Sequence, residues 1–230
     1  MFDFDGTLTV ADDVTTWEKI WVSLGYSIND CAQLHYEFSS SRIEHQEWCN
    51  ITAENFKEKG FNLSGLKDVA SAIRLVPGVR ETITTLDQHG IKIYILSGSV
   101  RYIIKRVMGD LMQIVEDVRA NEMYFDKSGK LTSIRGTKYD FRGKANYLRR
   151  LIRESGFLPH EILFVGNSCN DLDAISSGVR TLCVNPKSIN ADRKHWSHLI
   201  KDMRDLQEIL HYVGIGKGMN REDSVDAPIK

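Results

Sequence analysis

Apolar and polar positions alternate along this chain in two distinct styles. Trp17, Ile20, Trp21 and Leu24 recur at helical spacing, and Gly25 follows as a stop. Leu34 and Phe38 continue the style, as do Ile43, Trp48, Ile51 and Phe56, and residues 64–73 read as one more helix. Residues 10 to about 75 therefore predict a helical block without a buried strand, its aromatic stripe packed as core. Pro77-Gly78 punctuates the chain. Val79, Ile83 and Leu86 then mark a helix that stops at Gly90, and residues 91–96 form a short, largely apolar and β-branched run typical of a buried parallel strand. Residues 100 to about 117 predict another helix.

Residues 118–142 change character. Runs at 123–125 and 131–134 flank Asp126-Lys127-Ser128-Gly129-Lys130, a hairpin with Gly129 at the turn. Gly143-Lys144 opens a helix carrying Leu148, Leu151 and Ile152, closed by Gly156. Residues 162–165 and 181–185 predict two more buried strands, with a short helix to Ser177 between them. A last helix spans 206–213, and residues 214–230, polar and unpatterned, predict a disordered tail. Strand, helix and strand in succession form βαβ units, so the fold class is α/β with a parallel sheet.

Several predicted strand ends carry polar groups. Asp3 and Asp5 stand two residues apart, a spacing that shares a face of a strand, and Gly6 lets the chain turn away. Such a pair serves either a hard metal such as Mg²⁺ or a partnership of nucleophile and acid; alone, it reads equally as a solvated acidic turn. Ser97 with Gly98 and Ser99, before a helix, suits a phosphate oxygen, and equally a helix cap. Lys144, at a helix start where a cation opposes the dipole, suits a second phosphate oxygen. Asn167 and Asp171, in Gly166-Asn167-Ser168-Cys169-Asn170-Asp171, supply hard oxygen ligands. In open α/β sheets, sites lie beyond the carboxyl ends of the strands.

Composition narrows the class. The 230 residues suit one large domain or one with an insert, and 42% hydrophobic residues support a core. A net charge of −1 gives no sign of a nucleic-acid or anionic-membrane surface. Cys31, Cys49, Cys169 and Cys183 are too widely spaced for a metal pair or a disulfide framework, so a reducing, cytoplasmic setting is expected. No apolar run approaches a membrane span, and no signal peptide precedes Asp3.

The four motifs together, Asp3-Phe4-Asp5-Gly6-Thr7, Ser97-Gly98, Lys144 and Gly166–Asp171, occur in the order and at separations similar to those of the haloacid dehalogenase superfamily of Mg²⁺-dependent phosphohydrolases. The chain resembles most the branch typified by phosphoserine phosphatase. That resemblance implies a Rossmann-like, doubly wound core over residues 1–11 and 77–213, with a helical cap over 12–76. It implies that Asp3 attacks phosphorus, that Asp5 protonates the leaving alcohol and then activates water, and that Asp3, the Asp5 main-chain carbonyl, Asn167 and Asp171 serve Mg²⁺. Ser97, Gly98 and Lys144 would hold the phosphoryl group. Asp12 would stand where the branch has a glutamate for the amino-acid head group, with no arginine near Thr52 to accompany it, so phosphoserine is not expected to be the main substrate. The expected partner is a small phosphorylated metabolite, without nucleic acid or membrane; the oligomeric state stays open. A phosphotransferase or mutase on the same scaffold, or a non-catalytic binding relative, remain the alternatives.

Two departures stand out. The branch has Asp where this chain has Asn167, and its first strand holds more apolar residues than the two before Asp3. A central strand this short would forfeit ladder hydrogen bonds, so a missing N-terminal segment is expected.

Overall fold

The structure, a computed structural model, describes residues 1–10, 14–40, 42–139, 143–186 and 195–216. The expected position of Asp12, and all of the predicted tail beyond residue 216, lie outside the described residues. The strands are β1 (Ile93–Val100), β2 (Val115–Phe125), β3 (Leu131–Arg135), β4 (Leu163–Gly166), β5 (Arg180–Val184) and β6 (His198–Ile200). β1 pairs parallel with β2, and β4, β5 and β6 pair parallel in that order.

The N-terminal residues join these two groups. Phe2 bridges in parallel to both Ile95 and Val165. The Phe2 N–H donates to the Tyr94 carbonyl and that of Asp3 to the Val165 carbonyl, each at 2.9 Å. The first motif thereby sits in the middle of one sheet, between β1 and β4. Successive side chains of a strand face opposite sides, and the packing follows. Phe2, Ile95, Val165 and Leu182 enter one apolar cluster, while Met1, Leu96, Phe164 and Cys183 enter a second on the other face. Helix α7 (Lys144–Ser155) covers the second face through Tyr147 and Leu148. Helices α5 (Val79–Gln88) and α6 (Arg101–Met108) cover the first through Val79, Ile83, Leu86, Ile103 and Ile104.

The helical block comprises α1 (Thr16–Ser23), α2 (Ile28–Ser39), α3 (His45–Glu58) and α4 (Leu63–Ala72). Its two connections to the sheet run side by side: Val76 N–H donates to Leu8 O at 2.9 Å, and Val10 N–H to Arg74 O at 3.0 Å. A second seam ties it to the β2–β3 hairpin, where Leu63 N–H donates to Gly129 O and Leu131 N–H to Phe61 O. Its core residues Ile20, Trp21, Trp48 and Phe56 belong to the same apolar cluster as one face of the sheet.

Three sequence expectations need correction. The helix expected over 100–117 ends at Met108; a 3-10 helix, Gly109–Ile114, follows, and then β2 begins. The first half of β2 pairs parallel with β1 and only its second half forms the hairpin with β3, so one strand carries two patterns that blur each other. β6 went unpredicted because three residues with only partial burial leave no readable alternation. Leu206–Val213 is a 3-10 helix, capped by Asp205. No helix among the described residues is long and apolar enough to cross a membrane, and Cys31, Cys49, Cys169 and Cys183 are all free thiols.

Candidate active site

A cavity of about 620 Å³ opens at the carboxyl end of the central strands. Asp3, Asp5, Ser97, Gly98, Lys144 and Asn167, drawn from four separate segments, all line it. The chain turns out of the sheet at Gly6, where φ is +72°, a left-handed value that glycine adopts without cost from a Cβ. Space requires glycine here too. A Cβ on Gly6 would lie 2.0 Å from the Asn167 side-chain nitrogen, so the Asn167 carboxamide packs directly over the turn.

Lys144 begins α7, as expected, yet it is only 1% exposed. Its ammonium stands 2.5 Å from Asp171 Oδ1 and 3.3 Å from Asp3 Oδ1, and 5.6 Å from the Phe164 ring centroid. A cation so buried is tolerated because two carboxylates neutralise it. Asp171 is itself fully buried. Its second oxygen accepts from the Asn167 and Ser168 N–H groups at 3.0 Å and from the Ser168 hydroxyl at 3.3 Å. With both oxygens engaged and no surface on the cavity, Asp171 holds Lys144 and the 167–171 loop. Four donors converge on this carboxylate, which lines no part of the cavity, so in this geometry it supports Lys144 and the loop rather than facing the site.

The two aspartates differ in surroundings. Burial pushes Asp3 up to about 7, against the pull of Lys144; Asp171 nearby pushes it further and a hydrogen bond from Ser97 opposes. Burial also raises Asp5, opposed chiefly by the hydrogen bond from the Thr16 hydroxyl and also by the Lys19 charge. The Thr16 hydroxyl donates to Asp5 Oδ1 at 2.5 Å. The 97–99 segment is fixed as well. The Ser99 N–H donates to Ser97 Oγ at 3.2 Å, and the Gly98 carbonyl accepts from both Trp17 Nε1 at 2.8 Å and Asn121 Nδ2 at 2.6 Å. Ser97 lies inside β1, which continues to Val100.

Thr16, Trp17 and Asn121 escaped the reading from sequence. A signal existed for the first two: Thr15 and Glu18 form a capping box, which fixes where α1 starts and so where its first turn points. Asn121, fully buried in β2 and also accepting from Thr137 N–H at 2.8 Å, gives no local signal.

The fit to a hard divalent cation can be judged from the donors. Asp3 Oδ1 is buried and accepts no hydrogen bond, Lys144 being near enough only for ion pairing. The Asn167 side chain, 3% exposed, lies beside it across Gly6. Among the described residues no three acidic, histidine or cysteine side chains cluster. One carboxylate, one carboxamide and a main-chain carbonyl nonetheless fit Mg²⁺, which takes few protein ligands and keeps waters and substrate oxygens.

A family model described as a haloacid dehalogenase-like hydrolase matches residues 1–178. The chain belongs to the haloacid dehalogenase-like hydrolase family. Among curated members, it is 32% identical over 141 residues to a phosphoserine phosphatase of Mycobacterium tuberculosis, covering 59% of this chain and 34% of that protein. It is 27% identical over 153 residues to a phosphoserine phosphatase of Archaeoglobus fulgidus, covering 66% of this chain and 44% of the relative. The chain thus spans between a third and a half of the length of these two. With a phosphoserine phosphatase of Lactococcus lactis it shares 27% identity over 168 residues, 70% of this chain and 74% of that one. A solved phosphoserine phosphatase, described as a phospho-aspartyl intermediate analogue, superposes with a TM-score of 0.73 at 21% identity, covering 92% of this chain and 96% of that one. This family fold, a Rossmann-like α/β sheet, is the one described above.

Proposed function

We propose that this family member is a Mg²⁺-dependent phosphatase that hydrolyses a small phosphomonoester through a phospho-aspartate. The observation that carries the reading is one cavity in which two aspartates have different partners: an ammonium at Asp3 and the Thr16 hydroxyl at Asp5. Asp3 attacks phosphorus as the bond to the leaving oxygen breaks, and Asp5 delivers a proton to that oxygen. Asp5 then takes a proton from water, the water oxygen attacks phosphorus, and Asp3 is released as a carboxylate. A raised Asp5 suits both halves, since a proton must be held and then returned. Lys144 and the Ser97 hydroxyl bind phosphoryl oxygens, and Asp171 keeps the ammonium aimed inward.

Asp3, the Asp5 main-chain carbonyl and Asn167 would hold Mg²⁺. The ion supplies charge neutralisation for the transferring phosphoryl group, which is most of what phosphoryl transfer needs. Residues 12–76 act as a cap that completes the pocket over a core of 1–11 and 77–213, its two paired connections serving as the joint. The experiment is phosphate release from para-nitrophenyl phosphate with and without Mg²⁺, in wild type and Asp3→Asn. The expected result is metal-dependent release that the variant lacks while keeping its circular dichroism spectrum. Wild-type rates in the variant would remove Asp3 from the chemistry.

A further inference from the structure

The part of the cavity beyond the reacting groups points to the class of alcohol that leaves, an inference that rests on the phosphatase reading. Its far wall comes from α1, α2 and α3 and is built of rings: Trp17, Phe38, His45 and Trp48. Trp17 and Trp48 meet edge to face, centroids 4.8 Å apart at 89°. Phe38 stacks on His45 at 4.9 Å and 20°, and these two lie 6.2 and 6.0 Å from Trp48. The wall is braced from behind. Trp48 is 3% exposed, and fully buried Phe56 packs 6.5 Å from Trp17.

The hydrogen bond from Trp17 Nε1 to the Gly98 carbonyl ties this wall to the segment that holds phosphate. A phosphoryl group bound at Ser97 and Lys144 therefore sends its leaving group toward rings. The charged groups that line the same cavity are otherwise occupied or peripheral. The Glu18 carboxylate accepts from the Thr15 N–H, the Lys19 ammonium donates to the Val14 carbonyl, and Arg74 is exposed. An amino-acid head group calls for opposed charges at short range, and an alkylammonium calls for acidic neighbours. Among the described residues the four rings present neither; the charged residues that share the cavity with them are Glu18, Lys19 and Arg74, with His35 beside them. About 620 Å³, which includes the phosphate end, lies in the range of pockets that enclose drug-sized ligands, so a ring-bearing ester fits.

We propose that this site takes phosphomonoesters whose alcohol carries a planar aromatic or heteroaromatic ring, held against Trp17, Phe38, His45 and Trp48. Benzyl phosphate is the probe, compared with glycerol phosphate, phosphoserine and choline phosphate; all four leave as alkyl alcohols, so differences report on the pocket. Binding to Asp5→Asn with Mg²⁺, which keeps Asp3 and the main-chain carbonyl of residue 5, is followed by tryptophan fluorescence and calorimetry, and turnover by wild type is measured beside it. Benzyl phosphate is expected to bind about tenfold or more tightly than the other three, the size of a favourable ring contact plus its buried area. Trp48→Leu and the more accessible Phe38→Leu should each shrink that ratio, and two variants guard against one failing to fold. Equal binding of all four esters, a preference for phosphoserine or choline phosphate, or an unchanged ratio in both variants overturns the proposal. Ring-selective binding without phosphate release from any ester would instead overturn the phosphatase reading and leave the pocket assignment standing.

Discussion

Asn167→Asp is the sharpest perturbation of the metal site. Asn167 is 3% exposed and packed over Gly6, and Asp171 is saturated by Lys144 and the loop N–H groups. Among the described residues, Asp3 is then the one carboxylate that would face a bound Mg²⁺ in the proposed site. A second carboxylate about 4 Å from a divalent cation gains about 8 kcal/mol at an effective dielectric of about 20. Repulsion from Asp3 at similar range removes about 4 kcal/mol, and desolvation removes a further few kcal/mol. A net gain of about 1–3 kcal/mol remains, or roughly tenfold to a hundredfold in Mg²⁺ affinity. Without metal the sign reverses, because two buried carboxylates repel and the variant should unfold at lower denaturant than wild type. Calorimetric Mg²⁺ titration and urea unfolding, each on both proteins, check the two halves. An unchanged Mg²⁺ midpoint would show that the Asn167 side chain is not a ligand and serves only the turn.

Three further outcomes follow from the same geometry. Asp5→Asn should form the phospho-enzyme slowly from esters with good leaving groups and then stall, since water loses its base; rapid steady turnover in a stopped-flow assay would contradict the role of Asp5. Asp171→Ala should cost about 3–5 kcal/mol in urea unfolding, because Lys144 loses its 2.5 Å carboxylate partner and the loop N–H groups lose their acceptor. In metal-free protein, Asp3 holds its proton up to about 7 when folded but only to about 3.8 when unfolded. The folded state thus binds more protons at Asp3 across that window, so the contribution of Asp3 to stability is fully present below about pH 4 and is lost as pH rises toward 7. Denaturation midpoints between pH 4 and 8 should show that decline in wild type and a flatter curve in Asp3→Asn.

How much of this protein its sequence alone determined depends on the range of the forces involved. Short-range rules were enough for α1 to α5, since period, capping box and stop glycines act within a turn or two, and Gly25 and Gly156 do end their helices in left-handed conformations. The α/β class and the members of the site were legible because the chemistry of phosphate and Mg²⁺ constrains which side chains stand at strand ends. Asp3, Asp5, Ser97, Lys144 and Asn167 do converge on one cavity. Tertiary structure decided the division of labour among them. Only packing set Asp171 against Lys144 and turned it away from the cavity, and only burial raised both aspartates, with Lys144 opposing at Asp3 and the Thr16 hydroxyl at Asp5. The stripe of rings packs as core, as its spacing predicts, and only the tertiary structure lets Trp17 and Phe38 also line the cavity. Trp17 and Gly98 lie 81 residues apart and share one hydrogen bond, and no pattern in the intervening chain records a contact formed by two surfaces meeting across space.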